Sequence, residues 1–336
     1  MVSTTRPVKI TGLATYVPPK VLSNADLEKL VETSDEWIFQ RTGIRERHIV
    51  EPGVGTSDLA LPAARQAIEE AGLAPRDIGF IVVGTTTPDT IFPSTACRLQ
   101  AKLDAPEAWG FDLGAACSGF TYSLSVAWQQ VATGMVEHAL VVGADVMSSI
   151  IDYTDRATCV LFGDGAGAMV LSPAEPREPA ILDFAHVIQG AGGDALQMPA
   201  GGSRLPASQQ TVAQRLHYVK QDGATVFKFA VTMTELIARR ILERNNLTVD
   251  DIDLFVSHQA NRRIIEASTG RLGVDPSKVV INLDKYGNTT AGTIPLALND
   301  ARRQGRLRKG DLVLLASVGA GFTVGSVLLR WPLNHG

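Results

Sequence analysis

One cysteine lies in a pattern suited to nucleophilic chemistry. Cys117 sits within GFDLGAACSGFTYSLSVAWQQV (110–131), where an apolar stretch gives way to small residues and then to a helical pattern. This order predicts a strand, a tight turn and a buried helix, with the cysteine at the N-terminus of that helix. Backbone N–H groups and the positive end of the helix dipole favour a thiolate there. The sequence therefore predicts a nucleophile that its small neighbours leave open to substrate, with a buried structural cysteine as the alternative.

A histidine and an asparagine follow later in the chain. His258 closes the strand pattern DLFVSH and precedes a helical pattern, which places it at the C-terminal edge of a buried strand, where α/β proteins bind ligands. Asn288 lies in YGNTTAGTIPLAL, a turn signal followed by an apolar helix. Local pattern alone also allows a solvent-capping histidine and a helix-capping asparagine. A cysteine partner would make them a catalytic imidazole and a catalytic amide.

Two glycine clusters and two further cysteines suggest structural roles. Cys97 and Cys159 lie in patterns typical of buried structural cysteines. FGDGAGAM (162–169) resembles a dinucleotide-binding fingerprint, but it opens a strand pattern rather than a helix, so we interpret it as a turn between packed strands. SVGAGF (317–322) follows an apolar strand pattern. Its N–H groups could bind an oxyanion or simply form a turn.

The elements that must position these residues occur twice. Each copy has a helical pattern, a leucine, an Asp-Ile pair and a short apolar strand, and two further strand patterns match more loosely. The matching segments are 57–84 with 230–258, 138–145 with 310–319, and 167–172 with 325–331. Continuous apolar strands that alternate with helices indicate mainly parallel sheets buried on both faces. The repeat predicts two similar α/β halves joined in the proline-rich segment 172–180.

Composition restricts the remaining possibilities. The chain has 336 residues, of which 45% are hydrophobic and 20% are charged, as expected of a folded protein of about two domains. A net charge of -4 argues against nucleic acid or anionic lipid as a partner. No apolar run approaches the ~20 residues of a membrane span, and no signal-peptide pattern opens the chain. Three widely spaced cysteines exclude a disulfide framework and a Cys-only zinc site, and they favour the cytoplasm.

Six motifs taken together resemble one family. GAACSGF, HQAN (258–261) and YGNTTAGTIPLAL are similar to the thiolase superfamily, and more narrowly to its β-ketoacyl-acyl carrier protein synthase III family. The other three motifs are SDEWIFQRTGIRER (34–47), TDRATCVLFGDGAGA (154–168) and PAGGSR (199–204). The resemblance runs from about residue 8 to residue 331. It implies a duplicated, five-layered αβαβα sandwich with halves at 1–175, carrying the cysteine, and 176–336, carrying the histidine and asparagine.

The resemblance implies a condensing enzyme that initiates fatty acid biosynthesis. Cys117 would take an acyl group from acyl-CoA. His258 and Asn288 would then polarise the thioester carbonyl of malonyl-acyl carrier protein while CO2 leaves. The backbone N–H groups of Cys117 and Ala320 would form the oxyanion hole, although many members carry glycine at the position of Ala320. No cofactor and no metal are implied, since the CoA thioesters are substrates.

The resemblance also assigns substrate and partner contacts. The CoA-binding residues would be Trp37, Arg41, Arg156 and Asn261, with Trp37 and Arg156 enclosing the adenine. An acidic carrier protein would dock on Lys228 and Arg263. The acyl pocket would be lined by Phe92, Phe162 and Gln221, with Phe92 donated across a homodimer interface. Many relatives carry methionine at the position of Gln221, and its amide would need hydrogen-bond partners if it faces the pocket.

Two other functions fit part of this pattern. A starter-unit ketosynthase or an acyltransferase of secondary, polyketide-type metabolism would use the same acyl-cysteine. A non-catalytic subunit would only shape the pocket of a partner, but such subunits usually lose the nucleophile and Cys117 is present. The sequence leaves open the chain length and branching of the acyl primer.

Overall fold

The computed structural model describes residues 5–178 and 180–334. The strands are β1 (Val8–Tyr16), β2 (Val21–Ser23), β3 (Glu46–His48), β4 (Phe80–Gly84), β5 (Trp109–Leu113), β6 (Ala139–Asp145), β7 (Gly165–Pro173), β8 (Ile181–Ile188), β9 (Leu196–Gln197), β10 (Lys220–Gln221), β11 (Leu254–Ser257), β12 (Leu312–Gly319) and β13 (Thr323–Arg330). The helices are α1 (Asn24–Leu27), α2 (Asp35–Thr42), α3 (Thr56–Glu70), α4 (Thr95–Leu103), α5 (Gly119–Ala132), α6 (Arg156–Cys159), α7 (Gln209–Ala213), α8 (Gly223–Arg244), α9 (Arg262–Leu272), α10 (Leu283–Tyr286) and α11 (Thr293–Arg303).

Two sheets share one strand order. The first sheet has the order β1-β7-β6-β4-β5, with β4 parallel to β5 and β6, and β7 antiparallel to β6 and β1. The second has the order β8-β13-β12-β11, with β11 parallel to β12, and β13 antiparallel to β12 and β8. A parallel bridge from Phe255 to Val279 continues the second sheet at the place that β5 occupies in the first. The predicted matches between strand segments are thus confirmed.

The sheets and helices form five layers, as the duplicated sandwich requires. Helices α3 and α4 cover the outer face of the first sheet, and α8 and α9 cover the outer face of the second. Helices α5 and α11 lie between the two sheets and join them in one apolar core. In β4, Phe80 and Val82 face that central layer, while Ile81 and Val83 face α3 and α4. A continuous apolar strand is therefore buried on both faces, as predicted.

The connector between the halves is short and lies at the surface. After β7 ends, Glu175, Pro176 and Arg177 are exposed, and β8 then opens the second sheet. The division at 175/176 falls in this connector and stays a prediction, as Pro179 within it and the residues at both chain ends lie outside the described residues. Among the described residues, no helix combines the length and apolarity needed to cross a bilayer.

Candidate active site

Cys117 occupies the turn that the sequence predicted. Strand β5 ends at Leu113, a single 3-10 turn spans Ala116–Ser118, and α5 begins directly afterwards. Ala116 has a φ of 47°, a left-handed conformation that is uncommon for a residue with a side chain. Two hydrogen bonds with Thr323, the first residue of β13, hold this turn. Thr323 Oγ1 donates to Ala115 O at 2.8 Å, and Ser118 Oγ donates to Thr323 O at 3.1 Å. The second half of the chain therefore fixes the cysteine of the first.

Glycines bring the backbone close to the cysteine from two sides. A Cβ at Gly84, at the end of β4, would lie 2.7 Å from the backbone of Gly119 in the first turn of α5. A Cβ at Gly319, at the end of β12, would lie 2.8 Å from the backbone nitrogen of Cys117. Neither approach leaves room for a side chain. The two strand ends can converge on the sulfur only because both positions are glycine.

His258 follows β11 directly, at the strand end where it was predicted. Its backbone N–H donates to Ala316 O at 2.8 Å, which continues the parallel ladder with β12 by one bond. The ring is 8% exposed, and its Nδ1 lies 2.7 Å from the hydroxyl of Thr293, the first residue of α11. This contact leaves Nε2 as the ring nitrogen available to a substrate.

Asn288 is held in one orientation by the loop before α11. Its backbone pairs with the segment beside Phe162: its N–H donates to Leu161 O at 2.8 Å, and its carbonyl accepts from Gly163 N–H at 3.1 Å. Its Oδ1 accepts the N–H of Thr290 at 2.9 Å. Since the amide oxygen is engaged, the NH2 group is the part of the side chain available as a donor. Among the described residues it has no acceptor of its own.

A fully buried carboxylate joins the two halves beneath the site. Asp145 ends β6 and has no exposed surface. One oxygen accepts from the hydroxyls of Thr85, Thr86 and Thr87 and from the N–H groups of Thr86 and Thr87. The other accepts from the Thr290 hydroxyl and, at 3.3 Å, from Ala291 N–H. The loop after β4 and the loop that carries Asn288 therefore share a single anion.

One cavity of about 520 Å3 brings the three predicted catalytic residues together. Cys117, His258 and Asn288 line its inner end, where each is 8% exposed or less. The partly or fully exposed side chains Trp37, Arg41, Asn261 and Arg263 line its mouth. The wall between is mostly apolar and includes Val226, Phe227, Ala260 and Ile264. Within the described residues no hydrogen bond links the sulfur to His258 or Asn288, and such contacts often tighten only when substrate binds.

Burial controls the protonation of both titratable groups. It raises the pKa of the Cys117 thiol to about 12, and the nearby negative charge of Asp145 acts in the same direction. A hydrogen bond from the cysteine's own N–H opposes this rise without overcoming it. Burial also lowers the pKa of His258 to about 3. Both shifts favour a thiol and a neutral imidazole at rest, which contradicts the predicted thiolate at the helix N-terminus. Burial, which disfavours the charged form of each group, is the largest cause.

The predicted CoA residues form one cluster at the mouth. The guanidinium carbons of Arg41 and Arg156 lie 5.1 and 5.0 Å from the ring centre of Trp37. Asn261 Nδ2 donates to Arg41 O at 3.0 Å, which ties α2 to the start of α9. Arg156 contacts Trp37 but does not line the cavity. A planar base cannot enter a gap of 5.0 Å, so the predicted enclosure of an adenine requires Arg156 to move away from Trp37.

The remaining predicted residues divide into two groups. Phe162, Gln221 and Arg263 line the cavity, and Arg263 also lies 5.8 Å from the ring centre of Phe227. Three others are not part of the lining: Phe92, which is 84% exposed on a surface loop, Lys228, which is exposed on α8, and Ala320, whose neighbours Gly319 and Phe322 do line it. The roles of all six residues stay predictions.

Several residues at the site were not predicted from the sequence. Phe227 and Phe322 line the cavity, and the ring of Phe322 stacks on that of Phe229 with 4.0 Å between the ring centres. Thr293 contacts His258, and Asp145 accepts a hydrogen bond from Thr290 in the loop that carries Asn288. The aromatic residues resemble ordinary core positions in the sequence, and the contacts of Thr293 and Asp145 span 35 and 145 residues. The only signal was the density of threonines in the turn that follows Asn288.

The other two cysteines differ from each other. Cys159 is buried, as expected, but Cys97 is exposed, so its prediction is wrong. Cys97 lies on the outer surface of α4, where the helical pattern left its direction open. All three thiols are free, and among the described residues there is no group of three or more His, Cys, Asp or Glu that could hold a metal ion.

Comparison with known proteins agrees with this geometry. Two family models match: 3-oxoacyl-(acyl-carrier-protein) synthase III over residues 111–190 and its C-terminal counterpart over residues 242–331. The chain is 55% identical to the β-ketoacyl-(acyl-carrier-protein) synthase III of Koribacter versatilis, over 97% of this chain and 98% of that protein.

Solved structures extend the likeness to the whole fold. The 3-oxoacyl-(acyl carrier protein) synthase III of Pseudomonas aeruginosa superposes with a TM-score of 0.91 at 41% identity, covering 98% of this chain and 99% of that one. The priming β-ketosynthase of the R1128 polyketide biosynthetic pathway superposes with a TM-score of 0.90 at 36% identity, covering 99% of each chain. The chain with its buried cysteine, histidine and asparagine belongs to the β-ketoacyl-acyl carrier protein synthase III family of thiolase-fold condensing enzymes.

Proposed function

We propose that this enzyme starts fatty acid synthesis by condensing the acyl group of an acyl-CoA with malonyl-acyl carrier protein. The observation that carries the proposal is the cavity, whose lining includes the thiol of Cys117, the imidazole of His258 and the amide of Asn288. Its charged mouth and apolar wall suit a long substrate arm with a phosphorylated outer end, since arginines at the mouth can pair with phosphate. The thioester would then reach the buried inner end.

Cys117 acts first, as the acyl acceptor. Its sulfur attacks the thioester carbonyl of acyl-CoA while its proton moves to Nε2 of His258, because the resting pair is neutral. The S–C bond to the cysteine forms, the C–S bond to CoA breaks, and the CoA sulfur takes the proton from His258 and leaves as CoASH. The positive end of α5 and backbone N–H groups stabilise the negative charge that develops during this step.

His258 and Asn288 act in the second step. The malonyl carboxylate leaves as CO2, and the electrons of the broken C–C bond form an enolate on the thioester. The NH2 group of Asn288 and an N–H of His258 donate to the enolate oxygen. The enolate carbon then attacks the acyl-cysteine, a new C–C bond forms, and the bond to the sulfur breaks. The released cysteine thiolate takes a proton from solvent, which restores the thiol.

The mass of the intact protein tests the first step. After incubation with a short acyl-CoA, the wild-type protein should gain one acyl group and release CoASH, while Cys117→Ala gains none. Addition of malonyl-acyl carrier protein should then release CO2 and return the protein to its unmodified mass. A protein that stays unmodified with every acyl-CoA supplied, or whose acyl group is never consumed, would contradict the proposal.

A second candidate places the same chemistry in polyketide synthesis. The high structural similarity to a priming β-ketosynthase of a polyketide pathway favours it. So does Gln221, because a polar amide in the cavity lining could select a primer other than a plain alkyl chain. A panel of straight, branched and polar acyl-CoA primers, each offered with fatty acid and polyketide carrier proteins, separates the two candidates by the mass of the acyl-enzyme and the product.

The carrier protein and the partner subunit are part of the same proposal. Lys228 and Arg263 are exposed near the mouth on the adjoining helices α8 and α9, which suits an acidic carrier domain. Strand β5 is an edge strand that exposes Trp109 and Phe111, which suits pairing with a second copy of the chain. The free thiols agree with a reducing compartment such as the cytoplasm.

A further inference from the structure

A single hydroxyl contacts His258 at the ring nitrogen Nδ1. Thr293 Oγ1 lies 2.7 Å from His258 Nδ1 and 3.0 Å from the carbonyl oxygen of Thr290. A threonine hydroxyl has one proton to donate. If it donates to the carbonyl, its oxygen must accept the proton of Nδ1. Nε2 then has a free lone pair that faces the cavity.

The opposite arrangement needs a rotation of that hydroxyl and a proton exchange with solvent, in which Nδ1 loses its proton and Nε2 gains one. If Thr293 donates to Nδ1, the imidazole proton resides on Nε2 and points into the cavity. The carbonyl of Thr290 is not left unpaired by this rotation, because it also accepts the backbone N–H of Thr293. The first arrangement has one hydrogen bond more than the second. The resting enzyme therefore favours the proton on Nδ1, and the alternative stays within reach.

The two half-reactions need opposite arrangements. Loss of the Cys117 proton during acylation requires a lone pair on Nε2, while donation to the enolate oxygen during condensation requires a proton on Nε2. We propose that Thr293 is a positioning residue that holds His258 as a base for acylation. When its hydroxyl rotates to donate to Nδ1, and the ring exchanges its Nδ1 proton for one on Nε2 through solvent, Thr293 holds His258 as a donor for condensation. This proposal rests on the proposed function for its two half-reactions.

The surroundings of Thr293 indicate that its hydroxyl orients His258 and that the side chain does more than fill space in the core. The residue is 2% exposed, and the turn that carries it is attached to Asp145 through Thr290. Its neighbour Thr289 is fully buried in the same turn, yet Thr289 Oγ1 has no hydrogen-bond partner. The chain therefore supplies a matched control, a second buried threonine whose hydroxyl makes no comparable contact.

The tautomer can be measured without any substrate or variant activity. In wild-type protein labelled with 15N-histidine, the His258 signals, assigned by their loss in His258→Asn, should show a neutral ring with the proton on Nδ1. A resting ring with its proton on Nε2 would overturn the proposal. Because this measurement needs no turnover, it stands even if the proposed substrates prove wrong.

Kinetics of the half-reactions test the consequence. Thr293→Val should slow acyl-enzyme formation roughly a hundredfold, the scale of lost general-base catalysis, while decarboxylation of malonyl-acyl carrier protein stays within about threefold. Thr293→Ser should restore acylation to within about threefold, and Thr289→Val should leave both rates unchanged. Equal loss of both half-reactions in Thr293→Val, no loss of acylation, or no rescue by serine would overturn the proposal. A wild-type protein that performs neither half-reaction would refute the proposed function instead.

Discussion

Asn288 shows how one side chain can be restricted to a single chemical role. The Thr290 N–H occupies its amide oxygen, so only the NH2 group can meet a substrate. The backbone N–H and carbonyl of Asn288 are paired with the segment 161–163, which fixes the position of the residue, and a flipped amide would lose the bond from Thr290 N–H. The residue type and the turn around it were predictable from the sequence. The position of the turn in the site was not, because it depends on backbone partners that lie 125 residues or more away in the sequence.

Replacing Asn288 with aspartate should separate the two half-reactions. Asn288→Asp keeps the acceptor for Thr290 N–H but presents an anionic oxygen where the enolate forms. Condensation should fall about 100- to 1,000-fold, the usual loss for one oxyanion donor, while acyl-enzyme formation stays within about threefold. Single-turnover measurement of both steps checks this, with Asn246→Asp, at an exposed turn residue just after α8, as control. Equal losses in both steps would show that the change disturbs the site as a whole.

The protonation of Cys117 predicts an unusual reactivity profile. A thiol with a pKa raised to about 12 is almost wholly protonated at neutral pH. Its alkylation rate by iodoacetamide should rise about tenfold per pH unit from pH 7 to pH 10 without a plateau, whereas a thiol of ordinary pKa (~8.5) levels off by about pH 10. Mass spectrometry of the peptide containing Cys117 measures this separately from the exposed Cys97. A plateau near neutrality would mean that the resting sulfur is ionised after all.

At the scale of elements, strand ends and turns build the site. The strand, turn and helix around Cys117 and the strand before His258 were predictable, because the period of the apolar residues changes at each boundary. The left-handed turn at Ala116 and the shared anion at Asp145 were not, since both depend on contacts between the loops of different sheets. Local patterns identify the elements, and the close approach between the elements determines the chemistry.

The turn from β12 to β13 gives a direct test of that close approach. A methyl group at Gly319 would lie 2.8 Å from Cys117 N, so Gly319→Ala must displace the turn or the cysteine. We expect acyl-enzyme formation to fall at least a hundredfold, because the oxyanion donors and the sulfur lose their alignment. Gly114→Ala is the control, since a methyl group there meets nothing within 4 Å. Similar rates in the two variants would show that the turn can shift at no cost.

At the scale of the whole molecule, the duplication is the most informative feature of the sequence. The repeated order of helix, Asp-Ile and strand predicted two similar halves, and the two sheets have the same strand order. The repeat could not show which surface of a half faces its twin. That arrangement results from α5 and α11, whose apolar residues pack between both sheets.

The exposed edge of the first sheet predicts a dimer. Trp109 and Phe111 on β5 are 48% and 38% exposed, and Ile91 and Phe92 on the loop nearby are each 84% exposed. In a dimer, the edge strand β5 would pair with its copy and these apolar side chains would be covered. Neither unpaired backbone groups nor exposed apolar surface would then remain at this edge. Light scattering should give a dimer for the wild type and a shift toward monomer for Phe111→Lys. Met135→Lys, at another exposed apolar residue (68%), should stay dimeric. A monomeric wild type at micromolar concentration would refute the proposed pairing.

The connector at 175–178 has a further consequence. The two halves adhere through the layer of α5 and α11 and through the hydrogen bonds to Asp145, and none of these contacts involves the exposed residues Glu175, Pro176 and Arg177. A single tryptic cut after Arg177 should therefore yield two fragments that travel as one particle and still turn over. On this expectation the assembled halves do not need the connector's peptide bonds to stay together, and fragments that separate on size-exclusion chromatography would contradict it.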